Sequence, residues 1–256
     1  MNALAAVTVS LTLFLTFFCL ILLGRRLGRA RLAADPEGAH AGLGPVEGAV
    51  FGLMGLLIAF TFSGAAGRFD ERRHLIFDES NAIGTAYLRL DLLQPEAAAA
   101  LREKFRRYLD SRIRSYSVMP DVAAARAETE RSVALQGEIW KDAVAAGAAV
   151  APPTAGLLLA SINEMIDITT TRKGMTLMHP PPAIFAMLGL VCMMCALLVG
   201  YGMAQGKARH ALHLLVFAAA LSTVIYVILD LEYPRLGLIR IDATDAMLGE
   251  LRRSMD

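Results

Sequence analysis

Four apolar stretches constrain this chain more than any motif in it. Residues 4–23, 48–67, 182–204 and 211–230 are each about the length of helix, roughly 20 residues, that crosses some 30 Å of hydrocarbon. The 55% apolar content and mean hydropathy of +0.49 over 256 residues agree with a membrane protein rather than a soluble one. The first stretch lacks a basic segment before it, is too long for the apolar part of a signal peptide, and is followed by RRLGRAR instead of small residues. It is therefore expected to stay in the protein as a span.

Residues 68–181 lie between the second and third spans and read as helix throughout, so the expected fold class is an all-α membrane protein. Basic and acidic residues balance in this segment, which removes the bulk charge that nucleic acid would require. In LREKFRRYLDSRIRSY, Leu101, Phe105, Tyr108, Leu109, Ile113 and Tyr116 recur at three- and four-residue spacing, the period of a helix with a buried stripe. Pro120 and Asp121 end that helix, and Asp121 can cap the next, an alanine-rich run from Val122 to about Ala146 in which Trp140 is expected to anchor a helix contact. Ala151, Pro152 and Pro153 break the chain before Thr154 opens a further helix. There Leu158, Ile162, Met165, Ile166 and Thr169 share a face.

Motifs of catalysis are missing: the sequence has no phosphate-cradling glycine loop, no nucleophile elbow and no zinc-protease histidine pair beside a glutamate. Neither a catalytic residue nor a cofactor is expected. Cys192 and Cys195 flank Met193 and Met194, soft ligands of the kind that suits Cu(I). They are equally ordinary packing groups in an apolar span, and with no further cysteine nearby no metal site is expected. Cys19 stands apart, so three thiols build no disulfide framework. His210 and His213, three apart at a membrane boundary, read as interfacial anchors.

The stretch LIAFTFSGAAGRFDERRHLI, residues 57–76, passes from apolar to charged without a proline. Gly44, Gly48, Gly52, Leu56, Phe60 and Gly64 recur every four residues, a row that drifts slowly around a helix of 3.6 residues per turn. Two readings stay open. Small residues at this spacing allow close helix packing in lipid. Alternatively, in copies gathered around an axis, the glycines would leave a vestibule, Leu56 and Phe60 an apolar constriction, and Ser63 and Gly64 the start of a wider exit. Beyond Gly67, Arg68 and Arg72 are four apart, and Asp70 and Arg73 three apart, spacings at which charges pair along a helix. A continuous helix would place Ile76, Ile83, Tyr87 and Leu90 in the soluble bundle, so that movement there could reach Phe60 without a flexible joint. Asn163, Glu164 and Asp167 sit together at helical spacing with Arg172 beyond them. They either pair with arginines of the bundle or line an aqueous ion pathway, where their charge would favour cations.

The motifs GLMGLLIAFTFSGAAGRFDERR, DESNAIGTAYLRLDLL, INEMIDITTTR and VILDLEYPRLGLIRID resemble those of a bacterial membrane family known as DUF4239 and described as bestrophin-like. Bestrophins are pentameric ion channels with four main membrane helices and a helical cytosolic body between the second and third. The resemblance implies a cyclic homo-oligomer, a pentamer, in a bacterial inner membrane, in contact with lipids and inorganic ions. It also implies four spans, a soluble domain over 68–181 on the cytoplasmic side, and a C-terminal segment over 231–256. On the bestrophin neck pattern Phe60 takes the neck phenylalanine and Leu56 the apolar position one turn before it, while Gly52 departs from the third. LEYPR is similar to the acidic-x-Pro stretch of bestrophin C-terminal segments, with Arg235 and Leu236 replacing Phe-Gly. Basic residues are nearly balanced between the two ends of the spans, Arg25, Arg26, Arg29, Arg31, Lys207 and Arg209 at one and Arg68, Arg72, Arg73, Arg172, Lys173 and Arg235 at the other, so orientation follows the resemblance and not the charge rule. The other class compatible with these residues is a non-conducting sensor or scaffold whose helical domain docks a partner.

Overall fold

The computed structural model describes residues 3–35, 43–119, 121–204, 211–234 and 237–256. Pro120, Lys207, Arg209, His210, Arg235 and Leu236, which enter the sequence reading, lie outside them. Eight α-helices follow one another among the described residues: α1 Ala3–Ala34, α2 Leu43–Leu88, α3 Pro95–Ser117, α4 Val122–Gly147, α5 Pro152–Leu177, α6 Pro182–Gly202, α7 Ala211–Glu232 and α8 Asp242–Ser254. A 3-10 turn, Arg89–Leu92, follows α2, and no strand occurs among the described residues. Four of the helical segments are long and apolar enough to cross a membrane. The chain forms two compact units, one of residues 1–69 and 179–239, the other of residues 70–178 and 240–256.

In the first unit α1 runs to Ala34, well past the apolar stretch that ends at residue 23. Hydropathy predicts where a helix leaves hydrocarbon, but RRLGRAR contains no proline and its single glycine does not stop a helix, so the backbone continues. Gly24, Gly28 and Gly200 explain how α1 meets α6. A Cβ added to Gly24 would lie 2.0 Å from the Leu197 carbonyl oxygen, and one added to Gly200 would lie 1.9 Å from that of Ile21. At Gly28 it would meet the Ala204 methyl at 2.6 Å. The two backbones therefore touch, which lets dispersion hold them where lipid supplies no hydrophobic force. Phe17, Ile21, Ala65, Leu188, Cys192, Leu214, Ala218, Leu221 and Ile228 form the apolar centre around this crossing. Cys192 and Cys195 are buried packing groups, the Cys195 thiol pointing at the Val50 carbonyl at 3.8 Å. No group of three metal-ligating side chains exists among the described residues.

The second unit has a different core, built from large side chains. Leu101, Phe105, Tyr108 and Leu109 of the expected α3 stripe are buried, with Ile113 and Tyr116 partly so. From α5, Leu158, Ile162 and Met165 meet them, joined by Leu135, Ile139 and Ala143 of α4 and Leu248 and Met255 at the C-terminal end. Fully burying side chains of this size stabilises by about 1.5–3 kcal/mol each. Gln136 bridges two hydroxyls in this core, donating to Tyr108 at 3.2 Å and to Thr169 at 3.1 Å.

Helix starts follow local chemistry. Asp121 caps α4, its carboxylate accepting the Ala124 N–H at 3.0 Å. The Pro152–Pro153 pair does not delay α5 to Thr154. Both prolines sit in its first turn, where a missing N–H costs nothing. Trp140 is not an anchor of the core, being 37% exposed. Ile139 and Ala143, four apart, take the inward face of α4 and turn Trp140 outward.

Candidate functional site

α2 is unbroken over 46 residues, and one face of it is open along its length, although Phe62, 43% exposed, and Gly55 are also uncovered on another side. Ala49, Gly52, Leu53, Leu56, Phe60, Ser63 and Gly67 are exposed on it, Phe60 at 68% and Leu56 at 52%, while Gly64 is half-buried. A Cβ added at Gly44, Gly48, Gly52, Gly55 or Gly67 would meet nothing within 4 Å. Within the single chain, close packing through small residues joins α1 to α6, and these α2 glycines touch no other element of the chain. The opposite side of α2 carries Met54, Leu57, Ile58, Ala65 and Phe69 into the apolar centre of the first unit. Thr61 returns its hydroxyl to the Leu57 carbonyl at 2.7 Å.

Beyond Gly67 the arginines are tied off individually. Arg68 grips Glu232 at the end of α7, with contacts of 2.7, 3.0 and 3.2 Å, instead of pairing with Arg72's neighbours along its own helix. Glu232 is almost wholly buried and also accepts from His179 Nδ1 at 2.8 Å, while the His179 ring stacks on Tyr233 at 4.8 Å. Arg72 is buried, its guanidinium 3.3 Å from the Met178 carbonyl. Arg73 and Asp70 form the i, i+3 pair the spacing predicts, at 3.3 Å. Just before Glu232, Asp230 accepts the Leu238 and Ile239 N–H groups at 2.9 and 2.8 Å. Gly237 is required for that return of the chain, because a Cβ there would lie 1.3 Å from the Asp230 carboxylate.

The second unit holds a buried ion network that the sequence reading missed. Glu79 of α2 has no exposure. One carboxylate oxygen accepts from Arg112 Nε of α3 at 2.6 Å and the other from the Arg172 guanidinium of α5. Tyr116 lies against both arginines, its ring centroid 5.2 Å from the Arg112 guanidinium carbon and 4.7 Å from that of Arg172, and its hydroxyl accepts from Arg112. Asp245 of α8 approaches Arg172 at 3.9 Å. A signal for the network exists in the spacing. Glu79 stands between Ile76 and Ile83, Arg112 follows Phe105 and Leu109, and Arg172 follows Met165 and Thr169, all at core-facing intervals of three, four or seven. A charge at a core position must find partners in the core.

This arrangement takes Arg172 away from Asn163, Glu164 and Asp167. These three are exposed on α5, and Asn163 donates to Asp167 at 2.7 Å. Neither Glu164 nor Asp167 forms a salt bridge with an arginine among the described residues.

Residues 10–246 match the model of the Bestrophin-like domain. No curated protein matches the chain. Among solved structures, a single-residue variant of a bacterial bestrophin homologue from Klebsiella pneumoniae is similar over 94% of this chain and 98% of its own, with a TM-score of 0.72 at 14% identity. The homologue from the same organism solved by zinc phasing is similar over 92% and 96%, with a TM-score of 0.68 at 15% identity. A further chain described as a membrane protein covers 94% and 96%, with a TM-score of 0.71 at 16% identity. At these identities the likeness is one of fold.

Proposed function

Because the chain belongs to the bestrophin-like domain family, we propose that it is the subunit of a cyclic homo-oligomeric ion channel, a pentamer, in which α2 lines the axis. Its four spans cross a bacterial inner membrane, and the domain over residues 68–181 lies in the cytoplasm. The observation that carries this reading is the exposure of Phe60 and Leu56 on a helix whose exposed face runs on beyond the apolar segment. The rest of the chain leaves this face, with its row Gly52, Leu56 and Phe60, open to a neighbouring copy. In the assembly Leu56 and Phe60 form a dry constriction, Gly52 leaves a wider approach to it, and Ser63 and Gly64 begin the exit. An apolar ring resists ions because wetting it and stripping hydration are both unfavourable. Asn163, Glu164 and Asp167 are further candidates for the pathway, exposed and without arginine partners. Transport of this kind calls for no catalytic residue, metal or cofactor.

Ion flux from reconstituted liposomes tests the proposal. Phe60→Ala combined with Leu56→Ala is expected to raise flux while the oligomer stays intact. Unchanged flux from a correctly assembled double variant would remove the constriction, and a stable dimer by mass determination in nanodiscs would remove the ring. An assembled protein that never conducts would favour the sensor or scaffold reading.

A further inference from the structure

This inference rests on the channel reading and concerns what holds α2 in place. Arg68 is the one basic residue of α2 in the first unit, about 12 Å beyond Phe60 on the same unbroken helix. Its guanidinium meets the Glu232 carboxylate at 2.7, 3.0 and 3.2 Å. The Glu232 side chain has no exposure, so its charge must be answered by protein groups. The second of those groups is His179, just before α6, whose Nδ1 lies 2.8 Å from the carboxylate while its ring stacks on Tyr233. Unlike Arg68, this partner changes its charge between about pH 5 and pH 8. Its side chain is 30% exposed, so protons reach it from water. Asp230, the other carboxylate at the end of α7, is turned to the Leu238 and Ile239 N–H groups. The charged groups around the ring among the described residues are therefore Glu232 on α7 and, through it, Arg68 on α2.

We propose that Arg68, Glu232 and His179 form an acid-tightened latch on α2, so that ion flux falls as the pH drops through the range in which the histidine takes its charge. Paired with Arg68, Glu232 is a carboxylate and accepts the Nδ1–H of a neutral imidazole. The second proton enters at Nε2 and leaves that bond in place. The bond then joins two ions instead of one, in a place closed to water on the carboxylate side. Two further features favour the imidazolium. Glu232 is the last residue of α7, where the helix dipole is negative, and the Tyr233 ring lies against the imidazole. Arg68 repels the new charge, but both cations are held by the same carboxylate. Because α2 is continuous from Phe60 to Arg68, it cannot turn or tilt at the constriction without pulling on the latch. Tightened, the latch holds Leu56 and Phe60 in the constriction; loosened, it lets α2 carry them away from the axis.

The test is ion flux from reconstituted liposomes at about pH 5.5 and about pH 8, for the wild type, His179→Gln, His179→Lys and, as a control on exposed α2, His74→Gln. Phe60→Ala serves as the background if wild-type flux is small. Gln keeps a neutral donor and Lys a permanent cation at position 179, and size-exclusion of each oligomer checks assembly. Wild-type and His74→Gln flux is expected to be severalfold lower at the acid pH. His179→Gln should stay at the high level at both pH values and His179→Lys at the low one. A wild type that conducts equally at both pH values, or more at the acid one, would overturn the latch and leave the channel intact. A pH response kept in His179→Gln, or lost in His74→Gln instead, would overturn it as well by assigning the response to another group. No flux from either the wild type or Phe60→Ala at either pH would overturn the channel reading, and this inference with it.

Discussion

The two units of the chain solve the same packing problem with opposite materials. In the first, α1 and α6 meet backbone to backbone, because Gly24, Gly28 and Gly200 remove the side chains that would hold them apart. In the second, helices are kept apart by Phe105, Tyr108, Leu109, Ile139, Leu158, Ile162 and Met165 and are tied by charge at Glu79. On the proposed placement, with the first unit in lipid and the second in water, the difference follows from the solvent each core is built against. Lipid tails are as apolar as leucine, so burying a large side chain gains little there and close approach gains more. Water drives large side chains together, and the bundle of the second unit uses them.

The largest effect expected from this contrast comes from the smallest residue. Gly200→Leu drives a side chain into the Ile21 carbonyl and should abolish the folded protein, read as loss of a monodisperse peak and of cooperative thermal unfolding in detergent. The same change at Gly137 of α4, where a Cβ meets nothing within 4 Å, should be tolerated. Equal behaviour of the two variants would contradict the backbone-contact account of the first unit.

Charge removal comes next. Glu79→Ala leaves Arg112 and Arg172 buried and should destabilise by about 3–5 kcal/mol in a denaturation series, as much as removing a core phenylalanine. Glu232→Ala should cost less, about 1.5–3 kcal/mol, because Arg68 and His179 are partly exposed and recover hydration. A reversed order would mean that the ion network of the second unit is not what ties its helices.

The smallest effect is one of pH. Burial pulls the Glu128 carboxyl up, but hydrogen bonds from Arg114 and Ser111 and the charges of Arg114 and Arg131 outweigh it and hold the group below its ordinary 4.5. A depressed carboxyl adds stability above the unfolded value and loses it as pH falls through the folded one. Thermal unfolding of the wild type should therefore decline slightly more below about pH 4.5 than that of Glu128→Gln. Parallel curves would show that this surface pair contributes nothing.

Much of the fold was legible because periodicity is local. The stripe from Leu101 to Tyr108, the cap at Asp121 and the continuous passage from Phe60 to Ile83 could all be read from spacing alone. Long-range pairing could not. Arg68 and Glu232 are 164 residues apart, and only folding brings them within reach. Arg172 looked available to Asp167 one turn away, yet Glu79, 93 residues distant, claims it, because a buried carboxylate gains more from a second guanidinium than an exposed one does. Proline position misled at Pro152, where the helix begins with the residue expected to break it. Within the candidate site, sequence supplied the row Gly52, Leu56 and Phe60, and the structure adds which side of α2 stays open.

The most direct test of the pore-helix account is the position of Phe60 in the assembled protein. Electron cryomicroscopy of the oligomer in nanodiscs is expected to show the Phe60 rings of all copies converging on the symmetry axis, with Leu56 one turn away. Phe60 rings pointing outward into lipid, with another helix at the axis, would contradict it.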